Sequence, residues 1–279
     1  MRELMIGCKT LFEPTAPLDL SAPAGHRSLE RLAACGYQAV EYSHPYEWSL
    51  SEASEIGQAA AQLGLTNWSC HAPFLPHEPH PSADTCEQCL RSAIELCAAL
   101  GAGLVVVHTP FDLGLLRPDA DLDYASFYAK DKSVIEAILP KARSRGVRLA
   151  LENGHSQGQM DHIMGLVASL DDPSVGICVD TGHAALGDLG PASAVRQASQ
   201  HLFTTHLQDN LGQRDDHMPP GSGSIDWVDV LQSLDEVDYR GVLMLELTDS
   251  PHGRPYDQDA EQRAGHAFLA HHLSTTGHR

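Results

Sequence analysis

The sequence predicts an α/β fold, a single-domain barrel of eight parallel strands and eight helices, the (β/α)8 or TIM barrel. Short β-branched runs alternate with longer amphipathic runs from end to end, which is typical of parallel strands joined by crossover helices. The length of 279 residues suits such a barrel, which commonly needs about 250 residues. No G-x-G-x-x-G motif follows the first strand, and this disfavours an open dinucleotide-binding sheet.

Strands are predicted where apolar and β-branched residues concentrate. In chain order they are Leu4–Cys8, Gln38–Tyr42, Thr66–His71, Gly103–His108, Val147–Glu152, Val175–Asp180, Leu202–His206 and Gly241–Glu246. Stretches such as LSEASEIGQAAAQLGL and CEQCLRSAIELCAALGA predict helices between them, and glycines in AACGY, LGL and SRGV suit helix C-caps. The last helix is predicted over Gln258–Leu273, followed by a fraying tail. No linker-like segment interrupts residues 1–279, so we expect one domain.

The charge and cysteine content narrow the class of protein. Lys and Arg total 18 against 37 Asp and Glu, a formal net charge of −19, so a nucleic-acid partner is disfavoured because phosphate backbones would be repelled. We see no signal peptide and no apolar run near the roughly 20 residues of a membrane span. The seven cysteines lack framework spacing, which indicates reduced thiols in a cytoplasmic protein. Cys86 and Cys89 are expected to be ordinary helix residues, because no second pair completes a zinc tetrad.

Metal-ligand side chains recur at the ends of the predicted strands. The residues are His71, His108, Glu152, Asp180, His206 and Glu246. Taken singly, each is explained by a structural hydrogen bond or a helix cap. Together they would meet on one face, because the C-terminal strand ends of such a barrel converge. Buried carboxylates and imidazoles need a neutralising charge. Lys and Arg are nearly absent from these strand ends, so the pattern predicts a bound metal ion.

Two local motifs add further ligand-type residues. In DTGHA, Asp180 and His183 are three apart across a predicted glycine turn, so both could face the same side. In HLQDNLGQRDDHMPPGSGSIDW, Asp215 and His217 are two apart and should point the same way from an extended segment. The prolines and glycines that follow predict a stiff loop. Ser224 and Asp226 are candidate N-caps for a helix beginning near Trp227.

These motifs resemble the xylose-isomerase-like superfamily of TIM barrels, which includes sugar isomerases, epimerases, related dehydratases and endonuclease IV. The resemblance spans nearly the whole chain. It rests on HAPF, ELCAALGAGLVVVHTP, LALENGH, ICVDTGHA, HLQDN…DDHMPPGSGSIDW and LMLEL. It implies a TIM barrel that binds divalent metal.

The resemblance implies two different ligand sets. Epimerase-type members hold one divalent ion, Mn²⁺ or a similar metal, and the matching positions are Glu152, Asp180, His206 and Glu246. There the two glutamates also shuttle a proton, and the position of His183 contacts substrate. The endonuclease IV pattern implies three zinc ions and hydrolysis of phosphate esters. Its nine ligands would be His71, His108, Glu152, Asp180, His183, His206, Asp215, His217 and Glu246.

The leading hypothesis is a divalent-metal-dependent isomerase or epimerase that acts on a small polyhydroxylated, sugar-like substrate by proton transfer next to a carbonyl. Glu152 and Glu246 are the catalytic candidates. The segment IGCKTLF lacks the histidine of endonuclease IV, and AVEYSHPYEW resembles the isomerases. The DDH sequence instead favours the alternative, a multi-zinc phosphoesterase, because simple epimerases usually have an arginine in that loop. A catalytically idle metal-binding scaffold is a third hypothesis.

Several residues are candidate substrate contacts. They are Glu41, His183 and Arg214 for hydroxyl groups, and Trp48, Phe74 or Trp68 for the apolar face of a sugar, although each aromatic could equally be core. The loop 76–85 is expected to be exposed, and the segment 111–124 is a candidate lid in which Arg117 could contact an anion. His266, His271 and His272 are expected to be solvated. A homo-oligomer is compatible with the sequence.

Overall fold

A computed structural model describes residues 4–10, 22–43, 48–73, 81–111, 124–248 and 255–276. The strands are β1 Met5–Lys9, β2 Ala39–Tyr42, β3 Thr66–His71, β4 Leu104–His108, β5 Arg148–Glu152, β6 Val175–Asp180, β7 Leu202–His206 and β8 Val242–Leu245. The helices are α1 Ala22–Ala34, α2 Leu50–Gln62, α3 Ala83–Ala99, α4 Tyr124–Arg145, α5 Gln157–Leu170, α6 Thr181–Ala185, α7 Pro191–Ala198, α8 Trp227–Glu236 and α9 Gln258–Thr276. Within this part of the chain, none of the helices has the length and apolar composition of a membrane span.

The strands form a parallel barrel in sequence order, β1 to β7, with β8 beside β1. Closure between β7 and β8 rests on a parallel bridge between Leu207 and Leu245. The Thr205 hydroxyl supports it by donating to the carbonyl of Val242 at 3.4 Å and accepting from Met244 N at 3.2 Å. The predicted TIM barrel is therefore confirmed, with every predicted strand present and its ends shifted by at most one residue.

The alternation of side chains along each strand separates two cores. On β5, Leu149 and Leu151 face the helices, whereas Ala150 faces the barrel interior, as does Glu152 at the strand end. Trp68 packs against this interior cluster and donates from Nε1 to Thr204 Oγ1 at 3.0 Å. Trp68 is therefore part of the core, the second of the two alternatives that the sequence left open.

The C-terminal segment differs from its prediction. Helix α9 continues to Thr276, so the tail does not fray at Ser274, whose hydroxyl donates to the carbonyl of His271. His266 was expected to be solvated, but it is half-buried with its ring 5.2 Å from that of Tyr37, edge to face. Tyr37 also donates to the carbonyl of Gln262 at 2.7 Å. These contacts dock α9 against the barrel.

The cysteines follow the prediction. All seven are free. Cys86 is fully buried and Cys89 is half-buried, both on α3. Both are helix residues, and Cys86 is part of the hydrophobic core.

Candidate metal centre

The predicted ligand residues come together at the C-terminal mouth because the strand register places them side by side. His108 is paired with Glu152 across β4 and β5, and Asp180 is paired with His206 across β6 and β7. On β4, β5 and β6 each ligand residue lies two positions after an interior core residue, so its side chain points toward the barrel axis. The described residues form five overlapping groups whose ligand atoms lie within 4.8 Å of one another, and three of these groups together contain all nine predicted ligands, with Glu152 in two of the three. The other two groups are His71, His206 and Glu246, and Glu152, Cys178 and His206.

The Glu246 group consists of Glu152, Asp180, His206 and Glu246, all buried. Its centre is Nδ1 of His206, which lies 3.0 Å from Oε1 of Glu152 and 3.0 Å from Oε2 of Glu246. Three carboxylates and one imidazole are oxygen and nitrogen donors that suit Mn²⁺ or Zn²⁺.

The His108 group consists of His71, His108 and Glu152. The Nε2 atoms of the two histidines are 3.1 Å apart, and Oε2 of Glu152 lies 3.3 Å from His71 and 2.9 Å from His108. In a tetrahedral zinc site with bonds of about 2.0–2.1 Å, neighbouring ligand atoms are about 3.3–3.4 Å apart. Glu152 Oε2 is buried and makes no hydrogen bond of good geometry with the described residues. A divalent cation would satisfy it, so the donor set fits a metal ion.

The Asp215 group consists of His183, Asp215 and His217. Oδ2 of Asp215 lies 3.2 Å from Nε2 of His183 and 2.7 Å from Nε2 of His217. The sequence predicts that an extended segment points Asp215 and His217 the same way. The two side chains do meet, but the segment is not extended at His217, which has a φ of +47°. The Nε2 of Gln208 donates to Oδ1 of Asp215 at 2.6 Å and lies 3.3 Å from Oδ1 of Asp180, so it links two groups.

A short helix, rather than the predicted glycine turn, sets the spacing of Asp180 and His183. Asp180 is the N-cap of α6, and its Oδ1 accepts from the backbone N of His183 at 2.6 Å. Asn153 joins this corner to β5, because its side chain accepts from Asp180 N at 2.8 Å and its carbonyl lies 3.0 Å from Nδ1 of His183. That contact orients the Nε2 of His183 toward Asp215.

The loop after β7 is held by one buried carboxylate. Asp209 accepts from the backbone N of Gly221 at 3.0 Å, of Gly223 at 2.9 Å and of Ile225 at 3.2 Å, and from Nε1 of Trp227 at 2.8 Å. A Cβ on Gly223 would lie 2.3 Å from Oδ1 of Asp209, so this approach requires glycine. These hydrogen bonds are in keeping with the stiff loop that the prolines and glycines predict.

The two ends of the same loop are joined to the barrel. Asp209 and Met218 form an antiparallel bridge, and Thr248 N donates to the carbonyl of His217 at 3.0 Å. Of the two predicted N-caps for α8, Asp226 accepts from the first turn of the helix, as predicted. Ser224 does not cap the helix, because its hydroxyl donates to the carbonyl of Asn210 at 3.0 Å.

Burial and mutual charge shift the protonation of the site in opposite directions. Burial alone would raise the pKa of Glu152 and of Glu246, but neighbouring imidazoles hold both pKa values well below the usual range. Burial raises the pKa of Asp180 to about 7. Burial would lower the pKa of His206, but the surrounding carboxylates raise it well above its ordinary value. For His108 burial dominates, and its pKa is lowered. The centre therefore holds ionised glutamates beside protons that a metal ion could displace.

The candidate substrate contacts lie in different surroundings. Glu41 is fully buried, and both of its oxygens lie near Nε2 of His206, at 3.0 and 3.1 Å. Arg214 is 58% exposed and pairs with Asp216. Trp48 is half-buried, edge to face with Tyr42 at 6.2 Å. Phe74, Arg117 and residues 76–80 and 112–123 lie outside the described residues. In the rest of the loop 76–85, residues 82–85 are exposed as expected, whereas Pro81 is buried.

Four side chains near the centre were missed by the sequence analysis. They are Lys9, Asn153, Gln208 and Asp209. Lys9 is buried, and its Nζ lies 3.5 Å from Oε1 of Glu246. The predicted first strand stopped one residue short of it, so the strand-end pattern that identified the other residues did not include it. Asn153 directly follows Glu152, and Gln208 lies two residues after His206. The search for metal ligands considered carboxylates and imidazoles, so it did not identify these two amides. Asp209 is one of the aspartates gathered in this loop, but nothing in the sequence distinguishes it as the residue that holds the loop.

Fold and centre together define a barrel protein that gathers metal-ligand side chains at its C-terminal mouth. The chain belongs to the xylose isomerase-like TIM barrel family, whose model matches residues 29–272. It is 29% identical over 189 residues to MJ1311 of Methanocaldococcus jannaschii, and this match covers 63% of the chain and 62% of that protein. The chain thus spans less than two thirds of that relative.

Two named enzymes are also similar. A probable endonuclease 4 of Haloarcula marismortui is 27% identical over 195 residues, covering 62% of this chain and 67% of that protein. An L-ribulose 3-epimerase of Methylomonas sp. is 23% identical over 241 residues, covering 82% of this chain and 80% of that protein. A solved D-tagatose 3-epimerase-like protein has a TM-score of 0.76 at 22% identity, with 98% of both chains covered. At that identity the structural likeness shows the fold alone.

Proposed function

We propose that this protein is a divalent-metal-dependent enzyme of the sugar isomerase or epimerase type, which moves a proton next to the carbonyl of a small polyhydroxylated substrate. The observation that carries the proposal is the shared contact of Glu152 and Glu246 with Nδ1 of His206, each at 3.0 Å. Two carboxylates thus approach one point from different strands. The similarity to an L-ribulose 3-epimerase supports the same class.

The two glutamates would do the acid–base work. Their lowered pKa values keep both ionised near neutral pH, which is the form that accepts a proton. One carboxylate takes the proton from the carbon beside the carbonyl. The other first takes up a proton from water and returns it to the same carbon from the opposite face, and the first carboxylate then releases its proton to water, so that both glutamates end the cycle ionised. A divalent ion held by Glu152, Asp180, His206 and Glu246 would supply Lewis-acid polarisation of the carbonyl. His183, from its place beside Asp215, would contact a substrate hydroxyl.

A second candidate is a multi-zinc phosphoesterase. Its support is the presence of the His108 group and the Asp215 group beside the Glu246 group, because these three of the five overlapping groups together contain all nine side chains. An enzyme that holds a single ion needs only one of these groups. The similarity to a probable endonuclease 4 points the same way. Three zinc ions would supply charge neutralisation for a phosphoryl group, and the nine side chains would hold those ions.

One experiment separates the two candidates. The purified protein is loaded with Mn²⁺ or Zn²⁺, its metal content per chain is measured, and it is incubated with a panel of ketoses and phosphate esters in deuterated water. One ion per chain and solvent deuterium on the carbon beside the carbonyl support the isomerase. Three ions and release of phosphate or alcohol support the hydrolase. The measurement is repeated with Glu246→Gln, which removes one of the two proposed acid–base carboxylates. Glu55→Gln is its matched control, because Glu55 is an exposed carboxylate on α2.

Other expectations remain proposals. The substrate is a small sugar-like molecule rather than a nucleic acid, the metal is manganese or zinc, and the protein is cytoplasmic and compatible with a homo-oligomer. The net charge of −19 supports the small substrate, because a polyanion would be repelled.

A further inference from the structure

Glu41 occupies an unusual position for a substrate contact. It lies on β2, is 0% exposed, and its Oε2 accepts from the hydroxyl of Ser69 at 2.7 Å. Both of its oxygens face Nε2 of His206, at 3.0 and 3.1 Å. Glu41 is thus enclosed between β3 and β7.

The other nitrogen of the same imidazole faces the opposite way. Nδ1 of His206 lies 3.0 Å from a carboxylate oxygen of Glu152 and 3.0 Å from one of Glu246. A neutral imidazole carries one proton, so a hydrogen on Nε2 leaves a lone pair on Nδ1. A carboxylate facing Nε2 favours that tautomer, and it also fixes the orientation of the ring. Metal-binding histidines commonly have such a carboxylate on their second nitrogen.

We propose that Glu41 is a positioning residue for the metal centre. It holds the Nε2 proton of His206, so that Nδ1 presents its lone pair to the Glu246 group. Ser69 completes the arrangement by holding the Glu41 carboxylate in place. This inference rests on the proposed metal centre but not on the reaction, because either candidate function uses His206 as a ligand.

The test is the metal affinity of the protein without substrate. Mn²⁺ and Zn²⁺ dissociation constants are measured by competition with a chelator for the wild type, Glu41→Gln and Glu41→Ala. Loss of such a carboxylate typically weakens metal binding about 10–100-fold, and Glu41→Ala should reach that range. Glu41→Gln keeps an acceptor oxygen and should lie between Ala and wild type. The exposed Glu55→Gln should bind metal like the wild type.

A milder variant protects the test against misfolding. Ser69→Ala removes the hydroxyl on Oε2 of Glu41 but leaves the carboxylate present, so we expect a smaller loss of metal affinity in the same direction. Thermal unfolding of the metal-free proteins reports whether each variant folds. Unchanged metal affinity in the folded Glu41 variants, with a raised KM for substrate, would make Glu41 a substrate contact and overturn the proposal. If Glu41→Ala does not fold, unchanged affinity in Glu41→Gln and Ser69→Ala overturns it equally. Failure of the proposed reaction would leave the metal measurement unaffected.

Discussion

Nδ1 of His206, the last residue of β7, lies 3.0 Å from Oε2 of Glu246, the residue just after β8. This contact connects the ends of the two strands. β7 and β8 close the barrel, and this closure brings Glu246 against His206. The same nitrogen of His206 also contacts Glu152 at the end of β5. Carboxylates from well-separated parts of the chain therefore share one nitrogen. The reactivity of the centre depends on keeping His206, Glu246 and Glu152 at these distances from one another.

Glu246→Gln should abolish turnover, because the amide cannot accept a proton and is a poorer ligand for a hard cation. General-base catalysis is typically worth about 100- to 10,000-fold, so we expect a loss of at least about 100-fold in kcat. The assay is solvent deuterium incorporation into substrate, with Glu55→Gln as control. Full activity in Glu246→Gln would remove this carboxylate from the mechanism.

His217→Ala should lower the metal content by one ion per chain if the Asp215 group holds a metal. His217 supplies one of three ligand atoms, and its Nε2 lies 2.7 Å from Oδ2 of Asp215. Elemental analysis of the purified protein measures the change. An unchanged metal content would count against the three-metal enzyme and favour the single-ion isomerase. The matched control is His271→Ala, which removes an exposed imidazole on α9.

Metal binding should release protons and strengthen as the pH rises through about 7. In the metal-free protein the pKa of Asp180 is raised to about 7, and that of His206 is raised as well. Below these values the ligands carry protons that the ion must displace. The raised pKa of Asp180 also means that its contribution to metal-free stability is lost as the pH rises through about 7. The increase in melting temperature on adding metal should therefore grow between about pH 5.5 and 8. A pH-independent metal affinity would contradict this assignment.

Asp209→Ala should destabilise the loop that carries Asp215 and His217. It leaves four backbone N–H groups and the Trp227 indole without their acceptor, and hydrogen bonds to a charged group are each worth about 1.5–3 kcal/mol. We expect a loss of at least about 3 kcal/mol in the free energy of unfolding. The control is Asp226→Asn, because asparagine caps a helix as well as aspartate. Equal effects of both substitutions in denaturant unfolding would show that Asp209 has no special role.

A DNA duplex with an abasic site should be a poor substrate at physiological salt. The net charge of −19 opposes the approach of a polyanion, and few Lys or Arg are available to neutralise phosphates. Incision assays over a range of salt concentrations measure this, with a small phosphodiester as the comparison. Efficient incision would show that the positive charge of the bound metal ions attracts DNA more strongly than the negative surface of the protein repels it.

Much of the fold was predictable because it depends on local pattern. The strands were found from apolar runs, and the ligand residues from their place at strand ends. His71, His108, Glu152, Asp180 and His206 end strands in the structure as predicted. The assignment of residues 1–279 to one domain stays a prediction, as do the roles of the site residues.

The remaining features depend on contacts between distant segments. The bond of Asp180 to Asn153, the hydrogen bonds of Asp209 to the second half of its loop and the docking of His266 on Tyr37 all join residues at least 12 positions apart. From the sequence, Glu41 was a candidate contact for a substrate hydroxyl group. Only the folded chain brings it against Nε2 of His206.

The sequence by itself determined which side chains lie on the inner face of each strand, because alternation along a strand has a period of two. Tertiary structure alone decided which of those side chains touch, because barrel closure and strand register set distances between residues that are far apart along the chain. A metal centre needs ligand atoms about 3 Å apart, and only packing of the whole barrel fixes positions on that scale.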